Sequence, residues 1–247
     1  MAGNYRIYKE RGKMRYCIDY SKCKMDPRGV YILTYLQLEN FVEEYLEKKH
    51  SEMLGKPQEV PIENWLDSGE FGFSLEYRNL LLPQAKGLTA FSKMVIAVRD
   101  GETGNIDFIP VEENTVVLDE TEESAQSHFT AGHELAHILF HPYYFQTHVN
   151  ALAAHAEFGS GRSPAKHPCF WLERQANYAA GALTMPRVTF LELYQSFFND
   201  CLSPLKQKTT GVIKFIEEAA KIYNVSKSAV EIRLKQLDSL SGNEWER

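Results

Sequence analysis

Apolar and polar positions follow two different periods along this chain, and the change of period divides it. From residue 30 to 49, Leu33, Leu36, Leu38, Phe41, Val42, Tyr45 and Leu46 recur at helical spacing, with Glu39, Glu43, Glu47 and Lys48 on the other side. This predicts an amphipathic packing helix. Beyond Pro57 and Pro61 the pattern shortens to FSLEY, MVIAV, IDFIP and TVVLD, separated by Gly-containing or polar turns, which predicts short strands, several of which share one twisted sheet. Ahead of both, residues 5–28 mix aromatic and basic residues in loose alternation and end on the turn signal Asp26-Pro27-Arg28-Gly29. A hairpin or irregular extension is expected there.

Two helical runs follow. Thr121-Glu122-Glu123 places a capping residue and two acids before SAQSHFTAGHELAHILFH, and Pro142 stops that run. Pro168 opens and Pro186 follows a second run, CFWLERQANYAAGALTM. Near the C-terminus, Ile213 to Tyr223 reads as a helix and Asn224-Val225 as a turn. Ser226 then caps a further helix with Val230, Leu234 and Leu237 apolar, a weak helix-turn-helix pattern.

Composition narrows the class. A chain of 247 residues, 44% of them hydrophobic, buries a sizeable core and fits one domain with an appendage. A net charge of −6, without a block of like basic charges, argues against broad nucleic-acid binding. The charged start MAGNYRIYKERGKMRY lacks the apolar centre of a signal peptide, and the best apolar stretch, Val30 to Leu36, is too short for a bilayer. The cytoplasm is the expected compartment, with no membrane partner. Cys17, Cys23, Cys169 and Cys201 form no CxxC pair, so free thiols are expected in place of a disulfide framework or zinc ribbon.

Chemistry concentrates in HELAH. Residues four apart lie on one helix face about 6 Å apart, so His133 and His137 project side by side and can share a metal ion. Glu134, offset by one residue, lies beside that ion, where a carboxylate can serve as general base. A catalytic zinc site needs a third protein ligand. His141, roughly 12 Å along the same helix from His133, is too distant, and it reads as the last helix residue, a partial positive charge near exposed carbonyls. The loop beyond offers His155, Glu157 and His167, and the second helix offers Glu173, with Asn177 one turn on and the small Ala176 and Ala180 permitting close helix approach.

HFTAGHELAHILFH followed by ERQANYAAGALTMP resembles the ImmA/IrrE-type metallopeptidases of bacteria and their phages. That family carries a pattern close to FTxxHELxH and then ExxANxFAxxLLMP, matched here by Phe129, Thr130, His133, Glu134, His137, Glu173, Ala176, Asn177, Ala180 and Met185-Pro186. The resemblance extends by pattern over roughly residues 60 to 240, although its specificity lies in the two helical motifs. It implies one zinc ion per chain held by His133, His137 and Glu173, with Glu134 as the catalytic base toward a zinc-held water. It also implies an α+β, gluzincin-like fold, a small twisted sheet packed on the HExxH helix, with a helical C-terminal part. The corresponding division is an extension or hairpin at 1–28, a metallopeptidase domain at 29–192 and a C-terminal helical segment at 193–247 packed on it.

The implied substrate is a protein or peptide, a helix-turn-helix repressor of a phage or mobile element, cut at one site. In this structural class the strand before the active-site helix aligns an extended substrate at its edge, and Thr115 to Asp119 takes that place. Tyr143, Tyr144, Tyr178, His155 and His167 are candidates to stabilise the developing oxyanion, and Asn177 to support a ligand. The chain departs from the family at Tyr178, where Phe is usual, at Gly181-Ala182-Leu183-Thr184, and in the long loop 142–167 with its Gly159–Pro164 run.

Two other classes compete. One is a DNA-binding regulator using the C-terminal helices, with zinc structural or regulatory. Against it, Ser226 to Asp238 carries Lys227, Arg233 and Lys235 but also Glu231 and Asp238, so two packed helices are expected and direct DNA binding is not. The other is a metal-bearing interaction module, which gives no reason for Glu134.

Overall fold

A computed structural model describes residues 5–10, 13–18, 23–27, 29–82, 85–148, 169–198 and 210–241, of which residues 5–18 are described by backbone alone. It divides into two compact units, one of Met1–Leu33 with Pro61–Ala180, the other of Thr34–Val60 with Gly181–Arg247.

In the first unit, β1 (Tyr5–Glu10) and β2 (Lys13–Ile18) pair antiparallel, and β3 (Lys24–Met25) pairs with β4 (Tyr31–Ile32) across the predicted turn, where Asp26 accepts a hydrogen bond from the Val30 amide. After the short helix α1 (Ile62–Asp67) come β5 (Ser74–Arg78), β6 (Gly87–Ala90), β7 (Met94–Arg99), β8 (Ile106–Val111) and β9 (Thr115–Asp119). FSLEY and TVVLD fall in one sheet, MVIAV and IDFIP in another. β5, β9 and β6 form one mixed sheet in that order, while β7 and β8 form a separate hairpin. Asp100 accepts from the amides of Glu102 and Thr103 and from the Thr103 hydroxyl, and Gly104 supplies a positive φ, so the hairpin closes on itself.

The sheet is a middle layer. Side chains alternate along a strand, so Leu88 and Ala90 of β6, with Val117 of β9, face the hairpin and bury Ile96, Val98 and Val111 in one cluster. The opposite face carries Gly87 and Thr89, which meet the helix α2 (Ser124–Phe140). The run TVVLD is buried at every position because β9 is flanked on both sides, by β5 parallel and β6 antiparallel. Thr115–Asp119 is therefore the central strand and presents no edge; the strand beside α2 with a described partner on one side alone is β6, which the hydrophobic pattern did not reveal.

α2 starts after Glu123, and Thr121 is not its cap. The Thr121 amide and hydroxyl both donate to Asp119, closing the turn between β9 and the helix. Pro142 stops α2 and opens a short helix, α3 (Pro142–Thr147), so the long loop begins with ordered structure. Tyr144 and Phe145 of α3 pack with Val30 and Leu172. The helix α4 (Cys169–Thr184) completes this part of the chain. Cys17, Cys169 and Cys201, with His155, Glu157, His167 and Gly159–Pro164, lie outside the residues whose side chains are described.

In the second unit, α5 (Tyr35–Lys49) begins five residues later than its pattern suggested, because Thr34 and Gln37 form a capping box that sets its first turn. The same unit holds α6 (Arg187–Phe198), α7 (Thr210–Ile222) and α8 (Lys227–Ser241). Phe190, Tyr194, Phe215 and Tyr223 pack ring against ring. The α7–α8 turn is built as its sequence implies: Asn224 has φ 50°, the Val225 amide donates to the Ala220 carbonyl, and Ser226 accepts from the Ala229 amide. Arg233, counted above among the cations of α8, is instead fully buried beside Glu39. No helix among the described residues is long and apolar enough to cross a membrane.

Candidate metal centre

The HELAH segment occupies the second half of α2, where the helical repeat turns His133 and His137 to one side. Their rings lie 4.8 Å apart between centroids, with the two Nε2 atoms 3.1 Å apart. Glu173 on α4 faces both: Oε2 is 3.2 Å from His133 Nε2 and Oε1 is 3.3 Å from His137 Nε2. Ala176 and Ala180, fully buried, offer no bulk on this stretch of α4. The donor atoms of the three residues fall within 4.8 Å of one another.

Two imidazole nitrogens and a carboxylate aimed at one point suit a borderline metal such as zinc. The electrostatics agree. Burial opposes a charge on His133, but the hydrogen bond and charge of Glu173 outweigh it and push its pKa up to about 9. Burial would raise Glu173, yet His133 and His137 hold its carboxyl well below the usual range. Burial, the largest influence, lowers His137. The pocket therefore already stabilises positive charge opposite a carboxylate, and a divalent cation supplies that charge to all three groups at once.

Glu134 stands apart from this cluster, as its offset along the helix requires. It is buried, and Thr89 of β6 donates to its Oε2 at 2.7 Å. The close approach depends on Gly87, where a Cβ would come within 2.6 Å of Thr130 Cγ2 and 3.1 Å of Glu134 Oε1. Glu134 and His137 line a largely apolar pocket together with Leu82, Leu88, Phe91, Met94 and Phe145.

Asn177 is one turn beyond Glu173, and its Oδ1 accepts from His133 Nδ1 at 3.2 Å. His141 differs from its expected role. It is the C-cap residue of α2, but it is buried, and burial followed by the neighbouring His137 holds its pKa well below the ordinary histidine value. A neutral ring there gives no positive charge to the helix terminus. Its Nδ1 lies 3.0 Å from His137 Nδ1 and its Nε2 3.3 Å from Gln175 Oε1.

Of the tyrosines singled out above, Tyr143 is exposed beside the Tyr31 ring, Tyr144 is buried and stacked on His148, and Tyr178 is buried on α4. None of the three lines the pocket beside Glu134. Thr89, Gly87 and Gln175 carry no motif and were missed. No pattern in a single sequence marks them, because their roles arise where β6 and α4 meet α2.

No curated protein matches the sequence. A solved structure similar to this one is that of a Mycobacterium tuberculosis transcriptional regulator, with 15% identity and a TM-score of 0.43. The match covers 86% of this chain and 48% of that one, so the chain spans about half the length of that protein. The family of peptidase M78, described as the IrrE N-terminal-like domain, matches residues 91–235, more than half of the sequence and all of the residues around the centre from Phe91 to Asn177. The chain belongs to the M78 peptidase family of IrrE N-terminal-like domains.

Proposed function

We propose that the protein is a zinc-dependent endopeptidase in which His133, His137 and Glu173 hold the metal and Glu134 is the general base. The observation that carries this reading is the convergence of three ligand atoms next to a buried carboxylate that is not one of them. Bound zinc would polarise a peptide carbonyl and acidify a water beside it. Glu134 then takes the proton of the attacking water and returns it to the departing amine. Thr89 holds that carboxylate in one rotamer, so it is in place before substrate arrives.

The pocket beside Glu134 fits an apolar side chain. β6 borders the same pocket and lacks a second described strand partner, so an extended peptide can add to it as a further strand. The family resemblance suggests a helix-turn-helix repressor of a phage or mobile element, cut at one site, in the cytoplasm. Burial of Arg233, and the pairing of Lys227 with Glu217, favour packing over DNA contact as the task of α7 and α8.

Metal analysis and hydrolysis of a helix-turn-helix repressor offered as substrate test the proposal together. About one zinc per chain is expected. Glu134→Gln should keep the metal and lose turnover, and Glu173→Ala should weaken zinc binding by well over about tenfold. A Glu134→Gln protein that still cleaves, or a Glu173→Ala protein that binds zinc normally, overturns the assignment.

A further inference from the structure

The geometry points to a hydrogen-bonded relay, Gln175–His141–His137, that orients His137 so that its Nε2 lone pair faces the metal position. The inference rests on the metal reading of that centre. It adds two positioning residues, Gln175 and His141, neither of which touches the metal ligand atoms themselves.

Gln175 Nε2 lies 2.9 Å from the Tyr31 carbonyl oxygen, which can only accept, so the amide nitrogen must point there. Gln175 Oε1 is then the atom that faces His141 Nε2, and an amide oxygen can only accept, so His141 carries its proton on Nε2. A neutral ring protonated on Nε2 has its lone pair on Nδ1. That lone pair meets His137 Nδ1 at 3.0 Å, so His137 must donate from Nδ1. Nε2 of His137 is left as a lone pair, directed at Glu173 Oε1 and His133 Nε2.

The second imidazole is set independently. His133 Nδ1 donates to Asn177 Oδ1, and that pair lies toward solvent. The His137 arm is buried along its whole length, with His137, His141 and Gln175 each 3% exposed or less. A wrong tautomer there would bring two N–H groups or two lone pairs together out of reach of water. With a cation on the Nε2 side of His137, the cost of that mismatch selects one arrangement. Ligand histidines commonly receive this service from a carboxylate or a backbone carbonyl. Here a second histidine does it, and the terminal acceptor is an uncharged amide. His137 is thereby oriented without adding negative charge to the ligand set.

Nitrogen-detected NMR of the histidines in the full-length, zinc-loaded protein reads the pattern directly. His137 protonated on Nδ1 and His141 protonated on Nε2 are expected; either ring in the opposite neutral form overturns the relay. Zinc affinity by chelator competition supplies a second readout in Gln175→Met, which keeps the length and removes the acceptor, and in His141→Phe. Each should weaken zinc about 10- to 100-fold, the usual effect of losing a ligand's hydrogen-bond partner. Gln175→Met should also populate the second His137 tautomer. Variants that lose thermal stability but keep wild-type zinc affinity and the wild-type tautomer show a packing role and overturn the inference. Wild-type protein that binds no zinc defeats the metal reading instead, and the His141 tautomer, protonated on Nε2 or not, still decides the relay.

Discussion

Thr89 donates its hydroxyl proton to Glu134 Oε2 at 2.7 Å, tying a strand with no recognisable motif to the carboxylate at the centre of HELAH. A hydrogen bond to a charged group contributes about 1.5–3 kcal/mol, equivalent to roughly 10- to 150-fold in rate if all of it serves to position the base. Thr89→Val preserves shape and deletes the donor. Its zinc content should match wild type while kcat falls by at least about tenfold. Unchanged kcat would show that Glu134 is positioned by its own helix alone.

Gly87 permits that contact. Alanine there would press on Thr130 Cγ2 and Glu134 Oε1, and overpacking of this kind costs about 1–3 kcal/mol. Gly87→Ala should lower the unfolding midpoint and the turnover together. Thr130→Ser removes the methyl group in the way, so the double variant should recover part of the stability. Failure of that rescue would mean that the clash lies with Glu134 alone.

The His133–Glu173 pair makes the metal-free protein sensitive to alkali. The folded pKa of His133, about 9, lies above its ordinary 6.5, so its contribution to stability is complete below about pH 6.5 and disappears as pH rises through about 9. The depressed Glu173 reflects the same contact, whose contribution is lost as pH falls below the ordinary carboxyl range. Thermal unfolding of metal-free protein should therefore show a decline between about pH 6.5 and 9 that Glu173→Gln abolishes. Zinc must displace the His133 proton, so calorimetry in buffers of different ionisation enthalpy should record release of about one proton at pH 7.5.

Arg233 and Glu39 are both 0% exposed, with Nη1 and Nη2 of the arginine 2.8 and 2.6 Å from the two carboxylate oxygens, and Arg233 Nε donates to the Met185 carbonyl. Removing one member strands the other charge, at a cost of about 3–5 kcal/mol. Arg233→Met should destabilise the chain by that order in urea unfolding. The double variant with Glu39→Leu should lose less than the single one, since no charge is left unpaired. Equal losses would mean that packing, and not charge, is what Arg233 supplies.

The sequence by itself determined what a helix decides locally. The spacing in HELAH puts His133 and His137 on one face and Glu134 beside it, because the 3.6-residue repeat is a property of the backbone and needs no partner. Prolines bracketing the next motif and small residues around Glu173 made a helix legible there, and the family motif paired it with the first. The α7–α8 turn was equally readable, since Asn224 and Ser226 act on their own neighbours.

Only the tertiary structure decided which residues serve those motifs. TVVLD reads as a strand, but its place between β5 and β6 follows from a pairing across 41 positions, so among the described strands the outer one beside α2 is GLTA. Arg233 reads as a surface cation until Glu39, far away in sequence, meets it in the interior. His141 reads as a charged helix end until burial makes it a neutral link between His137 and Gln175. Helix periodicity is encoded within four residues, whereas burial and hydrogen-bond partnership depend on which distant segment arrives at each face.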